Sequence, residues 1–191
     1  MCHYITAILP AHADLQAINA IGKSYGVSFS TLGNEHIERQ LQSDQQYLWK
    51  ESKFCDCGTS FGAFACYQHT HPDTSLKDIK KLRKKGWSEA KIQKWLDNKA
   101  RSKQKNERSE EWSKKTYEQD ARVWIQFLTD LASENICGYL GLLFHWYRGG
   151  IESERIDIVQ THETGIDQLN EDAIFHFLED HIYQINFRNK R

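Results

Sequence analysis

The sequence predicts an α+β fold, in which helices pack on a small mixed sheet and a basic helical insertion separates two parts of the body. β-branched and aromatic runs alternate with segments of helical hydrophobic spacing, in the order β-α-β and later β-β-α. Between these two sets, the composition becomes basic and helical near residue 72. We therefore assign residues 1–71 and 116–191 to the body and residues 72–115 to the insertion.

The first part of the body is predicted to begin with a strand, a helix and a second strand. Residues 2–9 are rich in β-branched and aromatic side chains, which is typical of a buried strand. Residues 14–25 carry apolar side chains near helical spacing, with Gly26 as the stop. Residues 27–32 predict the second strand, and residues 47–49 fit a third.

The insertion is predicted to start as a helical hairpin. Residues 76–86 form a short helix with a glycine stop, and Ser88 can cap the helix that follows. From residue 100 to 115 the only large apolar side chain is Trp112. This segment is therefore either a solvated helix or partly disordered, and we expect it to be the most exposed or mobile part of the chain.

The second part of the body is predicted to contain a helix, two strands and a closing helix. Residues 117–131 show a helical apolar stripe, and residues 136–147 are apolar enough for a strand buried on both faces. Residues 155–161 nearly alternate and predict the hairpin partner of that strand. Apolar side chains at residues 170–185 predict a closing helix.

Charge is distributed unevenly along the chain. The net charge is −1, but residues 77–115 hold 15 Lys+Arg against 6 Asp+Glu, and the remainder holds 10 against 20. The protein is thus an acidic body with a basic insertion. A basic segment of this kind is either a nucleic-acid-binding arm or, more commonly, the solvated face of a helix.

Targeting signals and disulfides are not indicated. No apolar run approaches the roughly 18 residues that a membrane span requires, and no basic residues precede the apolar opening. We expect a cytoplasmic protein with no membrane partner. Five cysteines, an odd number, favour reduced thiols or metal ligands over a disulfide framework.

Cys2, Cys55 and Cys57 are the candidate metal ligands. Thiolates bind Zn²⁺, and a tetrahedral set requires a fourth ligand, which could come from His3, Cys66, His69, His71 or His145. Structural zinc ligands usually come in pairs with two to four intervening residues, whereas a single residue lies between Cys55 and Cys57. The alternative is that Cys2 is a small buried hydrophobe and that Cys-Asp-Cys-Gly is a tight turn. We expect no cofactor other than such a zinc ion.

Cys2 is also a candidate nucleophile. Removal of Met1 would leave Cys2 as the amino-terminal residue at the start of a strand, with its own amine as a general base. Enzymes with this arrangement are amidohydrolases, so this alternative predicts amide hydrolysis. The chain has neither a P-loop nor a dinucleotide-binding fingerprint.

The insertion carries the candidate nucleic-acid contacts. Lysines interleaved with tryptophans can contact phosphates while the aromatic rings stack on bases; the residues are Lys80, Lys81, Lys84, Lys85, Trp87 and Trp95. The alternative is that both tryptophans dock the insertion, which the helical spacing of Trp95 with its apolar neighbours favours.

Two short blocks carry a resemblance to a known family. Met1-Cys2-His3-Tyr4-Ile5-Thr6 and Cys55-Asp56-Cys57-Gly58-Thr59 resemble blocks of an uncharacterised family of bacterial proteins. This resemblance implies a bacterial cytosolic protein. The acidic α+β body also resembles, in kind, the immunity proteins that neutralise bacterial toxins. We therefore predict a non-enzymatic intracellular protein whose partner is another protein, such as a cationic toxin; the alternatives are the zinc-stabilised nucleic-acid binder and the amidohydrolase.

Overall fold

The computed structural model describes residues 2–52, 54–61 and 76–187, with the backbone alone for residues 76–78, 80 and 99–113. The chain forms two compact units. One consists of Met1–Phe64 and Tyr117–Arg191 and holds the sheet; the other is Ala65–Thr116.

The described chain contains six strands and five α-helices. The first elements are β1 (Cys2–Pro10), α1 (Leu15–Gly22), β2 (Phe29–Thr31), α2 (Glu35–Glu38) and β3 (Gln45–Lys50). Next come α3 (Leu76–Lys84), α4 (Glu89–Ser133) and β4 (Tyr139–Tyr147). The last are β5 (Gln160–Gly165), α5 (Glu171–Phe175) and β6 (His181–Asn186). Single turns of 3₁₀ helix lie at Lys23–Tyr25, Asp56–Gly58 and Ile166–Gln168.

Helix α1 begins and ends where its local chemistry requires. The Asp14 carboxylate accepts hydrogen bonds from the backbone N–H groups of Gln16 and Ala17, which satisfies two donors of the first turn. The 3₁₀ turn after α1 ends at Gly26, whose φ of 68° lies in the left-handed region that favours glycine. The predicted helix and its stop are confirmed.

The six strands of the described residues form one mixed sheet in the order β2-β3-β1-β4-β6-β5. Strand β1 lies near the middle and pairs antiparallel with both β3 and β4. The pairs β2–β3 and β4–β6 are also antiparallel, whereas β5 pairs parallel to β6. The predicted α+β class, with a mixed sheet and a helical insertion, is confirmed.

The larger core lies between one face of the sheet and the helices α1 and α4. Phe127 of α4 is fully buried at its centre, where its ring contacts the rings of Tyr25, Phe29 and Trp124. Sheet and helix side chains surround it, including Ile5, Ala7, Leu9, Ile18, Leu128, Leu131, Leu140, Leu142 and Phe144. Burial of each large apolar side chain contributes about 1.5–3 kcal/mol.

A smaller core covers the opposite face. Its strand residues are Ile8, Tyr47, Leu143, Tyr147 and Ile182, and helix α2 and the segment before β5 add Ile37 and Ile156. Because side chains alternate along a strand, Cys2, Tyr4 and Ile8 belong to this face, whereas His3 belongs to the face of the larger core. The end of β1 therefore presents a thiol on one face and an imidazole on the other.

The prediction that residues 155–161 form the hairpin partner of β4 is wrong. The strand in this region is Gln160–Gly165, and it pairs with β6 rather than β4. Ile156 and Ile158 pack on the smaller core from an irregular segment. Apolar side chains of a loop that covers a core can alternate with polar ones, as they do in a strand. This alternation is the cause of the wrong prediction.

The closing helix is also shorter than predicted. Helix α5 ends at Phe175, and Ile182 and Ile185 lie in strand β6. Ile182 faces the smaller core and Ile185 the larger one. Strand β6 is buried on both faces, so it carries apolar side chains on both. Its two isoleucines lie three residues apart, and this separation imitates the spacing of a helix.

Helix α4 is longer than the sequence indicated. It runs for 45 residues and includes the segment 100–115, whose backbone is helical. The side chains of residues 99–113 lie outside the described part of the chain, so the expectation about the exposure of this segment stays a prediction. No described helix is both long and apolar enough to cross a bilayer.

Candidate functional site

A loop that follows β3 takes the place of a strand beside the start of β1. Strand β3 pairs with β1 only from Thr6 to Pro10. Before Thr6, the backbone N–H of Ile5 donates to Asp56 Oδ2 at 2.8 Å, and the N–H of His3 donates to Cys57 Sγ at 3.2 Å. Two backbone donors that lack strand partners on this side are thus satisfied by side chains of the loop.

Asp56 anchors the loop. The residue is 1% exposed, and its second carboxylate oxygen forms an ion pair with Lys50. The Lys50 ammonium lies 6.0 Å from the ring centre of Trp124. Burial raises the pKa of the Asp56 carboxyl above its usual range, although the Lys50 charge opposes this shift. The residue between the two cysteines is therefore fixed by contacts with two strands.

The anchored loop brings three sulfur atoms together. The Sγ atoms of Cys2, Cys55 and Cys57 lie within 4.8 Å of one another, and all three residues are partly exposed. We call this group the thiol cluster. Hydrogen bonds from the Cys57 backbone and from the Cys57 and Cys2 side chains lower the pKa of Cys55. Burial raises the pKa of Cys57 to about 11.

His3 lies beside the thiol cluster. Its ring stacks on Phe144 and meets Trp146 edge-on, with both centroid distances at 4.4 Å, and the residue is 3% exposed. The Nδ1 atom lies 3.9 Å from Cys57 Sγ, and Nε2 lies 4.0 Å from Glu179 Oε1. Burial and the charge of His145 lower the pKa of His3 to about 4.

The Cys57 thiol, the His3 imidazole and the Glu179 carboxylate do not form an activated nucleophile. Transfer of a proton from Cys57 to His3 is unfavourable, because the pKa of the thiol is about 11 and that of the imidazole about 4. Both groups are therefore neutral near pH 7 in the metal-free protein. The arrangement is better suited to ligand binding than to nucleophilic attack.

A second group of titratable side chains lies across β1, on β4 and the turn before β6. His145 Nδ1 is hydrogen-bonded to Asp180, and Nε2 lies 3.6 Å from Glu154 Oε1. We call this group the histidine–carboxylate cluster. Burial alone would lower the pKa of His145, but the carboxylates of Asp180, Glu154 and Glu179 raise it above its usual value.

The carboxylates of this cluster already have partners. Glu154 Oε2 accepts hydrogen bonds from the N–H groups of Arg148 and Gly149, at 2.8 and 2.6 Å. Glu179 Oε1 accepts one from the N–H of Trp146 at 2.6 Å. Ligand atoms of His145, Glu179 and Asp180 also lie within 4.8 Å of one another. Because carboxylate oxygens of the cluster already accept hydrogen bonds within the chain, we interpret the cluster as an internal charge network.

A polar recess lies farther along the same sheet face as the smaller core. Its volume is about 220 Å³, and Ile8, Gly141 and Ile182 form its floor. The side-chain amide of Gln40 bonds to the backbone of Ile156 and Ile158. The polar wall thus serves to hold the segment before β5 in place.

The predicted metal ligands Cys2, Cys55 and Cys57 are the residues that the structure brings together. His145 does not join them, and His3 approaches only Cys57 closely. Three other ligand candidates lie outside the described residues: Cys66, His69 and His71. The structure supplies no fourth protein ligand for the thiol cluster among the residues that it describes.

The predicted nucleic-acid contacts lie on α3, in the turn that follows it and at the start of α4. Lys81, Lys84 and Lys85 are exposed, whereas the side chain of Lys80 lies outside the described part of the chain. Trp87 is half-buried, and the Lys91 ammonium lies 4.3 Å from its ring centre. A lysine of the chain itself thus covers one face of this ring. Trp95 is also half-buried.

Sequence reasoning missed the residues that position the sulfur atoms. Asp56 was predicted only as part of a tight turn, and Lys50 was not among the predicted site residues. A charged residue between two cysteines was the available signal, but its partners are set by the short pairing of β3 with β1. Comparison of the chain with known protein families, curated proteins and solved structures found no match.

Proposed function

We propose that the protein binds Zn²⁺ through the three thiolates of Cys2, Cys55 and Cys57. The observation that supports this proposal is the convergence of the three sulfur atoms within 4.8 Å. With Zn–S bonds of about 2.3 Å, two sulfurs of a tetrahedral site lie roughly 3.8 Å apart. Small side-chain rotations are therefore sufficient to bind the ion.

The identity of the ligands favours a thiophilic metal. Thiolate sulfur selects Zn²⁺ and other soft ions, whereas Mg²⁺ and Ca²⁺ require oxygen ligands. The carboxylate between the two loop cysteines, Asp56, is turned away toward Lys50 and Ile5. The N–H of His3 donates to Cys57 Sγ and stabilises negative charge on that sulfur.

Among the residues that the structure describes, three protein ligands converge at this site. Structural sites usually have four protein ligands, whereas three ligands and a water or substrate are typical of sites that do chemistry or exchange ligands. The thiol cluster is partly exposed, so water or a small molecule can reach a bound ion. A site of this kind can polarise a bound group or pass the ion to another thiolate protein.

The proposal is tested by metal binding to protein purified without a metal-affinity tag. We expect about one Zn²⁺ per chain, and Co²⁺ substitution should produce the sulfur-to-cobalt charge-transfer band of a thiolate site. Cys2→Ser, Cys55→Ser and Cys57→Ser should each weaken binding by more than the roughly 10- to 100-fold cost of losing an outer-shell partner. Cys137→Ala is the matched control, because Cys137 is buried in the larger core. Equal binding by all four variants would exclude the site.

The other functions stay predictions. An immunity-type protein should yield a nuclease-resistant protein partner in a pull-down, whereas a nucleic-acid binder should lose RNA or DNA when Lys80, Lys81, Lys84 and Lys85 become Gln. For the amidohydrolase, the prediction is that removal of Met1 is required and that alkylation of Cys2 abolishes amide hydrolysis.

A further inference from the structure

We propose that the thiol cluster is a redox switch, in which oxidation joins Cys2 to Cys55 as a disulfide and releases the metal ion. This inference rests on the proposed function, because a bound ion is what the switch releases. It adds to the proposed function that low-molecular-weight disulfides regulate metal binding at this site. The geometry of the sulfur atoms, their exposure and the anchored loop support it.

Cys55 is the sulfur that can pair with Cys2 at least cost. Its Sγ lies within 4.8 Å of the Cys2 Sγ. Cys57 Sγ, in contrast, also accepts the backbone N–H of His3. A disulfide through Cys57 would leave that buried donor without its partner, whereas a Cys2–Cys55 disulfide keeps it.

The pair Cys55–Cys57 is disfavoured by the backbone. These cysteines flank Asp56 in a 3₁₀ turn, and the Asp56 carboxylate is held by Ile5 and Lys50. Closing a disulfide across one residue requires the turn to rearrange, because a disulfide demands a defined Cα separation and dihedral angle. A Cys2–Cys55 bond instead joins strand β1 to the loop and does not bridge the Asp56 turn.

Exposure decides which cysteines an oxidant reaches. Cys2, Cys55 and Cys57 are partly exposed, whereas Cys137 is 5% exposed. Thiol–disulfide exchange requires direct approach of the attacked disulfide to the sulfur. A low-molecular-weight disulfide therefore reacts at the thiol cluster and spares Cys137.

The chemical step conserves atoms and electrons. One cluster thiolate attacks a sulfur of the small disulfide, forms a mixed disulfide and expels one small thiolate. The second cluster thiolate attacks the protein sulfur of the mixed disulfide and expels the other small thiolate. Two electrons pass from the protein to the small disulfide, and no proton is consumed because both cysteines begin as metal-bound thiolates. Only Cys57 remains as a ligand, so Zn²⁺ leaves.

The test uses zinc-loaded full-length protein and oxidised glutathione. Zinc release is followed with a chromophoric chelator, and disulfides are mapped by mass spectrometry of proteolytic peptides. We expect release of about one Zn²⁺ per chain, the loss of about two thiols and a Cys2–Cys55 linked peptide. Dithiothreitol should restore zinc binding, and Cys137→Ala should behave as the wild type.

Failure of the switch and failure of the metal site give different results. If zinc binds but is retained, or if release is accompanied by single glutathione adducts without a Cys2–Cys55 peptide, the switch is wrong and the metal site stands. If the protein binds no zinc, both proposals are wrong. Oxidation of the chelator-treated protein provides the second measurement, since a Cys55–Cys57 or Cys2–Cys57 peptide there overturns the pairing without reference to metal.

Discussion

The thiol cluster and the histidine–carboxylate cluster lie at the same end of the sheet, but different forces hold them together. Strand β1 joins them, because Cys2 pairs with Tyr147 and Tyr4 pairs with His145. The sulfurs are placed by a buried anchor, Asp56, and do not neutralise one another. His145, in contrast, is held by opposite charges from within the chain.

This difference separates groups that stabilise the fold from groups that can bind a ligand. The carboxylates beside His145 already accept hydrogen bonds from the protein, so little binding capacity remains. The three sulfurs are partly exposed and have few donors apart from one another and the N–H of His3. We therefore expect mutations of the anchor to cost the most stability, mutations of His145 less, and mutations of the sulfurs least in the absence of metal.

Removal of the loop anchor should have the largest effect. Asp56→Ala leaves the largely buried Lys50 ammonium unpaired and the Ile5 N–H without an acceptor. Breaking a buried ion pair at one partner typically costs about 3–5 kcal/mol, so the urea midpoint of the metal-free protein should fall accordingly.

Asp157→Ala is the control for the anchor. Asp157 pairs with Arg155, but both side chains are about three-quarters exposed. Its loss should change the free energy of unfolding by less than about 0.5 kcal/mol. Equal destabilisation by the two substitutions would show that Asp56 does not anchor the loop.

Replacing His145 should have an intermediate effect. His145→Gln removes the cation between Asp180 and Glu154 and leaves two carboxylates close together. We expect a loss of about 1–3 kcal/mol at pH 6, measured by urea unfolding. His12→Gln, at an exposed position, should change little. A neutral result for His145→Gln would mean that the network does not support the fold.

The pH dependence of wild-type stability should reveal the same network. Because the pKa of His145 is raised on folding, its contribution is fully present below the unfolded value of about 6.5 and is lost as pH rises through the folded pKa. Each unit of elevation corresponds to about 1.4 kcal/mol. The carboxylates of Asp180, Glu154 and Glu179 raise this pKa, and the ring of Tyr147 meets the imidazole edge-on.

His145→Gln removes the group that titrates. The free energy of unfolding of the variant should therefore not fall as pH rises through the folded pKa of His145, as that of the wild type does. The measurement is a set of urea titrations between pH 6 and 9, in the presence of a chelator. An unchanged slope in the variant would assign the dependence to other groups.

The smallest effect is expected at the sulfurs without metal. Cys57→Ser should change the stability of the chelator-treated protein by less than about 1 kcal/mol, because the residue is partly exposed. With Zn²⁺ in excess, the wild type alone should gain stability, as a ligand that binds only the folded state requires. A large loss in the metal-free variant would instead indicate a packing role for Cys57.

Local sequence signals predicted much of the body but not its last elements. The strand at residues 2–9 and the helix after Asp14 depend on nearby residues, and both are present. The closing region depends on which faces are covered, and β6 is buried on both, so its isoleucines imitated a helix. Pairing of β5 with β6 rather than β4 is a tertiary choice that alternation alone does not determine.

Local sequence signals likewise predicted part of the candidate site. Cysteine is recognisable as a ligand of soft metal ions from residue type alone, so Cys2, Cys55 and Cys57 could be grouped as candidate metal ligands before any distance was known. The anchor could not, because Asp56 is buried only where β3 stops pairing with β1. His145 was considered as a zinc ligand, but its surroundings depend on Asp180 and Glu154, which lie far apart in the sequence.

The central position of β1 has a consequence for synthesis of the chain. Thr6 Oγ1 of β1 donates to the carbonyl of Leu143 in β4, and the two residues are 137 positions apart. At about 5–20 residues per second, the ribosome needs roughly 7–27 s to produce that partner. During this interval an apolar strand has one edge without its native neighbour, which exposes it to pairing with other chains. We conclude that the nascent chain passes through its most aggregation-prone state before β4 emerges, and that slow, non-local pairing then completes the sheet.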